Sequence, residues 1–197
     1  MKIVAATQNS HKIAEISEIT KDFGMELISM ADAGLAGFDI DETGSSFEEN
    51  SLLKAEAVCR LSGEAAIADD SGLCVDALDG APGIYSARFA GEHGDDAANR
   101  AKLLTLLKGV PKEERTARFV CAITLLYPDG RKLVASGCCE GHIAFEERGE
   151  GGFGYDGIFV PEGGDRSFGE YSAEEKNAVS HRHNALVRLR ALLGGEK

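Results

Sequence analysis

The sequence predicts an α/β protein built on a mixed β-sheet, and three observations carry that expectation. Short apolar runs alternate with helical patterns through the first 70 residues, as they do where strands and helices share one sheet. Two long strand-like stretches, Thr116 to Tyr127 and Arg131 to Phe145, flank Pro128-Asp129-Gly130 and read as a β-hairpin. No internal repeat, low-complexity tract or long Pro/Gly/Ser linker divides the chain, so residues 1–197 read as a single domain.

The elements follow in order. Lys2 to Thr7 is an apolar run ending in polar residues, and Ile13, Ile16, Ile19 and Phe23 then recur at near-helical spacing up to Gly24, a C-cap candidate. A strand is expected at Met25 to Met30, followed by an acidic loop. Ser46-Phe47-Glu48-Glu49 has the form of a capping box, opening a helix to about Leu61, and Ala65 to Ala68 is the next strand. Ser71-Gly72 looks like a tight turn, and Asp79 to Gly91 is loop-like, with Gly80, Pro82, Gly83 and Gly91. Asp95 or Asp96 can cap a helix containing Leu103, Leu104, Leu106 and Leu107. After the hairpin, Ser172-Ala173-Glu174-Glu175 is a second capping box, expected to open one long C-terminal helix ending at Gly194-Gly195.

Composition narrows the function classes. Against 21 Lys+Arg stand 33 Asp+Glu, a formal net charge of −12. Such a surface repels polyphosphate backbones, which argues against a nucleic-acid polymer or an anionic membrane as partner and says nothing about a mononucleotide. No segment approaches the roughly 20 consecutive apolar residues of a membrane helix. MKIVAATQNSHK turns polar after Thr7, too early for a signal peptide, so a soluble cytoplasmic protein is expected. Cys59, Cys74, Cys121, Cys138 and Cys139 contain no CxxC pair, which suggests core thiols in a reducing compartment; Cys138 and Cys139 would face opposite sides of a strand.

Several segments could carry chemistry, each with a plainer alternative. Thr7-Gln8-Asn9-Ser10-His11-Lys12 lies where a strand gives way to a helix, a place that favours an anion, or is simply a solvated N-cap turn. Asn50 and Lys54 share a helical face and can reach one ligand, although a lysine there is by default a surface residue. Asp69 and Asp70 follow an apolar strand; carboxylates so placed suit Mg²⁺ when phosphate supplies other ligands, and one can act as a base, with Glu42 as a third oxygen donor. The alternative is a turn whose Asp side chains bond their own backbone. Gly149 to Gly154 matches G-x-G-x-x-G, but no strand-to-helix step surrounds it, so a dinucleotide fingerprint is rejected. Glycines beside Phe153 and Tyr155 suit instead a flat ligand that an aromatic ring can stack on. Lys176, Ser180 and His183 share a helical stripe whereas His181 and Arg182 point elsewhere, so Lys176, His181 and Arg182 meet one ligand only if the helix breaks near Ser180 or the ligand wraps around it.

The ordered set is more specific than its parts. TxNxxK at 7–12, SFEENxxxKA at 46–55, ADDSGLxVDAL at 68–78, GAPGIYSARFAG at 80–91, FGYD at 153–156 and K(x)4HR ending at Arg182 closely resemble the inosine triphosphate pyrophosphatase family, the HAM-type non-standard purine NTP pyrophosphatases. The resemblance spans nearly the whole chain. It implies an elongated mixed sheet flanked by helices, in two lobes with the active site in the cleft between them. It also implies a homodimeric, Mg²⁺-dependent enzyme that hydrolyses ITP, dITP and XTP to the monophosphate and pyrophosphate. Carried over by position, Thr7, Gln8, Asn9, Ser10, His11 and Lys12 would bind phosphates. Asp70 would accept the proton and, with Glu42, hold the metal. Lys54, Ser71, Phe153, Gly154, Tyr155, Asp156, Lys176, His181 and Arg182 would contact substrate. Gly157 stands where the family pattern FGYDP has proline, and Gln8 where TGN has glycine; neither change removes a charged group. Two alternatives remain: a pyrophosphatase for other damaged or pyrimidine triphosphates, and a nucleotide sensor without catalysis.

Overall fold

The computed structural model describes residues 2–20 and 24–194. Phe23 and Gly195, expected at helix ends, lie outside the described residues, as does the side chain of Ile19. The strands are β1 (Lys2–Ala5), β2 (Glu26–Ser29), β3 (Ala65–Val75), β4 (Thr116–Leu126), β5 (Lys132–Ile143) and β6 (Phe159–Pro161). The helices are α1 (Ser10–Thr20), α2 (Phe47–Ser62), α3 (Asp96–Leu106), α4 (Ala173–Val179) and α5 (His181–Gly194). The strands form one sheet in the order β2-β1-β3-β4-β5-β6. Ile3 of β1 sits opposite Leu27 and Ala65 in parallel pairings, while β5 and β6 are antiparallel with His142 opposite Val160. The sheet is therefore mixed, as expected, and the hairpin turn is closed by Tyr127 N–H to Arg131 O at 2.9 Å.

The chain packs as two compact units. One takes the described residues of Met1–Asp70, Cys121–Gly137 and Arg182–Lys197; the other takes Ser71–Val120 and Cys138–His181. Chain passes from one to the other inside β3, β4 and β5 and at the start of α5, not through a linker.

In the first unit the period-2 alternation of strand side chains decides which helix covers which face. Ile3, Ala65 and Ile67 face Ile16 of α1 and Ala185, Leu186 and Leu189 of α5. Their neighbours Val4, Ala66 and Ala68 face Ala55, Val58 and Cys59 of α2. Both sheet faces are buried, so β1 and the start of β3 read as continuous apolar runs instead of alternating ones. The second unit has its own core, in which Leu73 and Val75 of β3 pack with Leu103 and Leu107 near α3 and with Phe159 and Phe168. Cys139 is buried there while Cys138 is exposed, the opposite-face arrangement expected of adjacent strand residues.

Four local expectations change. Ser71-Gly72 is not a turn, because β3 continues to Val75; Leu73 N–H donates to Ser86 Oγ at 2.9 Å, and the two preceding carboxylates have cationic partners, so no solvated bend is needed. At the start of α2, Ser46 Oγ accepts from Glu49 N–H, but the Glu49 carboxylate accepts from Ser45 N–H and Oγ, at 2.7 and 2.8 Å, instead of returning to Ser46. Short 3-10 turns occupy Asp76–Leu78 and Gly83–Arg88 in the stretch read as loop. The C-terminal helix is two: the capping box at Ser172 is present, but Ser180 adopts an extended conformation with ψ 156° and separates α4 from α5. The cap at Ser46 is worth about 1 kcal/mol in general, so Ser46→Ala should lower the urea midpoint accordingly with an unchanged m-value.

Candidate active site

Alternation along β3 also sorts its two acids. Asp69 continues the residues that face α1 and α5, and Asp70 those that face α2. Asp69 is completely buried, and its Oδ2 accepts from Arg182 Nη2 at 2.9 Å, Arg182 Nε at 3.2 Å and Lys12 Nζ at 3.2 Å. Arg182 is itself only 1% exposed and also pairs with Glu15, which lies one helical turn after Lys12 on α1. Burial alone would raise the Asp69 pKa, but Lys12, Arg182 and Lys54 outweigh it and hold this carboxylate well below the usual range. Burial would likewise depress Arg182, and Asp69 is the chief group that reverses this and keeps the guanidinium firmly charged.

On the other face, Lys54 Nζ bridges Asp70 Oδ1 at 2.9 Å and Glu42 Oε1 at 2.8 Å. Lys54 is buried, not the surface lysine its position in an amphipathic helix suggests, because its ammonium serves two carboxylates. Asn50, one turn earlier on α2 and fully buried, donates Nδ2 to Asp70 Oδ2 at 3.3 Å and accepts Gly44 N–H on Oδ1 at 2.8 Å. Position 44 leaves no room for a side chain: a Cβ there would stand 2.7 Å from Asn50 Oδ1. The two partners respond differently to sharing one ammonium. Burial pushes the Asp70 pKa up and Glu42 adds to this, together exceeding the pull of Lys54. Lys54, lowered by burial but faced by Asp70, Asp69 and Glu42, ends above its ordinary value.

The expected phosphate segment spans the β1–α1 junction. Asn9 caps α1, its Oδ1 accepting from His11 and Lys12 N–H at 3.0 and 3.2 Å, and Asn9 N–H bonds Thr7 Oγ1 at 3.2 Å. Two amides of that turn are thus already satisfied by the cap, while Asn9, Ser10 and His11 are exposed. Gln8 uses its side chain to donate to Phe38 O at 2.7 Å, a bond glycine could not make.

The remaining expected residues lie in the second unit. Lys176 Nζ pairs with Asp156 Oδ2 at 2.8 Å, both buried, and sits 4.4 Å from the centre of the Phe153 ring. Asp156 Oδ2 also accepts Phe153 N–H at 2.8 Å. This fold-back requires glycine at 152, where φ is +74° and a Cβ would strike the Asp156 carboxylate. Residues 147–155 contain neither strand nor helix; β5 ends four residues earlier at Ile143 and only a single 3-10 turn, Asp156–Ile158, follows, so the strand-to-α-helix step of a dinucleotide fingerprint is missing here. Tyr155 is an anchor: its buried hydroxyl donates to Ser86 O at 2.8 Å, and burial raises its pKa strongly. His181 stacks on Phe119, ring centres 4.8 Å apart. Beside Gly157 the Glu147 side chain occupies the space a Cβ would enter, 3.0 Å from its Cγ. Ser71 follows Asp70 on β3 and is half-buried.

The structure thus gathers Lys12, Glu42, Lys54, Asp70 and Arg182 in the first unit and Phe153, Asp156 and Lys176 in the second. Sequence reasoning left out Glu15 and undervalued Asp69 and Asn50. The signal for Glu15 was present, since Lys12 and Glu15 are three residues apart on α1.

A sequence model of the Ham1 family matches residues 3–192. The chain belongs to the Ham1 family. Among similar proteins, the dITP/XTP pyrophosphatase of Desulforamulus reducens is 50% identical over 194 residues, covering 98% of this chain and 96% of its own, and that of Bacillus subtilis is 48% identical, covering 96% of each. The solved Ham1 protein of Staphylococcus aureus superposes with a TM-score of 0.88 at 45% identity, covering all of both chains. The family resemblance read from the motifs therefore holds, and the sheet architecture is that of a Ham1 protein.

Removing the charge on Asp69 takes away one of the two carboxylates on a buried guanidinium and leaves Glu15; breaking a buried pair generally costs about 3–5 kcal/mol, so Asp69→Asn should show a loss of up to that size in urea unfolding at pH 7. Because the folded pKa of Asp69 is lowered, its stabilising contribution is complete above the unfolded carboxylate value of about 3.9 and fades as pH falls from there toward the folded pKa. The stability gap between wild type and Asp69→Asn should therefore shrink below pH ~4, which unfolding curves between pH 2 and 7 will measure.

Proposed function

We propose that this protein hydrolyses the α–β phosphoanhydride of non-standard purine nucleoside triphosphates, ITP, dITP and XTP, to the monophosphate and pyrophosphate, removing them from the precursor pool. The observation that carries the reading is Asp70: a buried carboxylate, oriented by Asn50 and Lys54, with a pKa raised by burial. A base with a raised pKa is suited to taking a proton from water near neutral pH. Relatives about half identical over nearly the whole chain are named dITP/XTP pyrophosphatase, which supports two of these substrates.

In this mechanism Asp70 accepts the proton of a water that attacks the α-phosphorus in line. The bond to the bridging oxygen breaks, and its electron pair leaves with pyrophosphate. Lys12, Lys54 and Arg182 are the cations suited to the charge of the phosphates, and Asp69 fixes the first and last of them. Discrimination against adenine requires donors at the purine 6-oxo group, since a 6-amino group would leave such donors unpaired.

Magnesium belongs to the same proposal. Glu42 and Asp70 already converge on one cation, the Lys54 ammonium, and their hard anionic oxygens suit Mg²⁺. Among the described residues no three His, Cys, Asp or Glu side chains cluster as a metal site, so phosphate oxygens and water would complete the coordination. A bound Mg²⁺ would supply neutralisation of the phosphate charge. A homodimer acting in the cytoplasm completes the reading. No helix among the described residues is long and apolar enough to cross a membrane, and the five free cysteines fit a reducing compartment.

Assayed against ITP, XTP, dITP, ATP, GTP and dUTP, the purified protein should release pyrophosphate from the first three; similar rates on ATP and GTP would contradict a pool-cleaning role, and binding without product would identify a sensor. Asp70→Asn should stay folded and lose at least ~100-fold in kcat. As the Asp70 pKa is raised, kcat/KM should climb with pH through a limb above the ordinary carboxylate value of about 3.9. EDTA should stop the reaction and excess Mg²⁺ restore it.

A further inference from the structure

Phe153 is the ring that the sequence offers to a flat ligand, which in the function proposed above is the purine base, and its contacts with Lys176 and Asp156 hold one end of its loop. The other end is gripped from a different direction. Asp96 and Arg100 lie four residues apart on α3 and so share one helical face. Asp96 Oδ2 accepts Gly154 N–H at 2.7 Å, and Arg100 Nη1 donates to Gly154 O at 2.8 Å. The helix thus holds both polar groups of the residue that follows Phe153. Arg100 is in turn fixed through Nη2 to Glu147 Oε1 at 2.7 Å, while its buried Nε has no hydrogen-bond partner among the described residues. Glu147 also fills the space beside Gly157, on the far side of the same loop. One ion pair and two hydrogen bonds therefore connect α3 to both flanks of residues 153–156.

We infer that Asp96 and Arg100 are positioning residues for base selectivity: by holding the Gly154 backbone they set the place of the Phe153 ring and of the backbone groups that would read the purine edge. Side chains that act only through another group change selectivity without touching the ligand. A ring displaced by a fraction of its thickness keeps most of its apolar contact with any purine but loses the alignment of directional donors. Discrimination between a 6-oxo and a 6-amino purine is then lost before turnover is. Arginine matters here because its planar fork reaches two acceptors at once; lysine can satisfy only one at a time in that geometry.

The inference rests on the proposed nucleotide activity, and the test separates the two. Steady-state kinetics with ITP and ATP are measured for wild type, Arg100→Ala, Arg100→Lys and Asp96→Ala, with far-UV circular dichroism and thermal melting to confirm folding. Arg100→Ala should reduce the ITP:ATP ratio of kcat/KM about tenfold, mainly through a higher KM for ITP with kcat within about twofold, as expected when ground-state and transition-state binding fall together. Arg100→Lys should recover part of the ratio, and Asp96→Ala should shift it in the same direction. Asp96→Ala and Arg100→Lys carry the test if Arg100→Ala does not fold. Folded variants with wild-type selectivity, or a fall in kcat at unchanged KM, overturn the clamp and leave the proposed function standing. A wild-type protein that turns over no ITP overturns both.

Discussion

The first unit depends on one buried carboxylate. Asp69 has no exposed surface, and its Oδ2 is the shared acceptor of Arg182 and Lys12. Arg182 is the largest fully buried side chain in the described protein, and without an anion beside it the guanidinium would have to be either solvated or left uncompensated in the core. Of the two carboxylates that compensate Arg182, Asp69 is the completely buried one and has the larger effect in keeping it charged. Lys12 reaches the same oxygen from α1, and Glu15 completes the second side of the guanidinium. Three helices' worth of sequence separation is thus closed on a single oxygen atom at the end of an apolar strand run.

That constraint frees Asp70 for other work. Adjacent residues of a strand face opposite ways, so the fully neutralised acid and the incompletely neutralised one occupy the two faces of β3. Asp69 pairs directly with Lys12 and Arg182 and stays ionised; Asp70 shares one ammonium with Glu42 and is pushed toward its neutral form by burial. Two carboxylates with proton affinities shifted in opposite directions, side by side in sequence, are compatible with a structural role for Asp69 and the proton-accepting role proposed for Asp70. The Asn50–Gly44 bond extends the arrangement, since it fixes the amide whose other end points at Asp70.

Much of this was legible in the chain. The α/β class, the hairpin about Pro128-Asp129-Gly130 and the cap at Ser172 follow from local chemistry, and local chemistry is what a sequence displays. The family motifs include Lys12, Lys54, Asp70 and Arg182, which the first unit brings into buried charge pairs, and Lys176, which the second unit pairs with Asp156. Where reading failed, the cause was tertiary. Ser71-Gly72 has the composition of a turn, but a strand continues through it because partners distant in sequence satisfy the groups a turn would have exposed to water. Lys54 looks like a surface lysine because nothing local announces Glu42 and Asp70 beside it. The hold of Asp96 and Arg100 on Gly154 spans more than 50 residues and leaves no periodic trace.

The most direct test of the central role given to Asp69 is a double-mutant cycle with Asp69→Asn and Arg182→Met, read by urea unfolding at pH 7. If the buried charge pair organises the unit, the double variant should be much less destabilised than the sum of the single ones, with a coupling of about 2 kcal/mol or more. Additivity of the two substitutions to within about 0.5 kcal/mol would contradict the account.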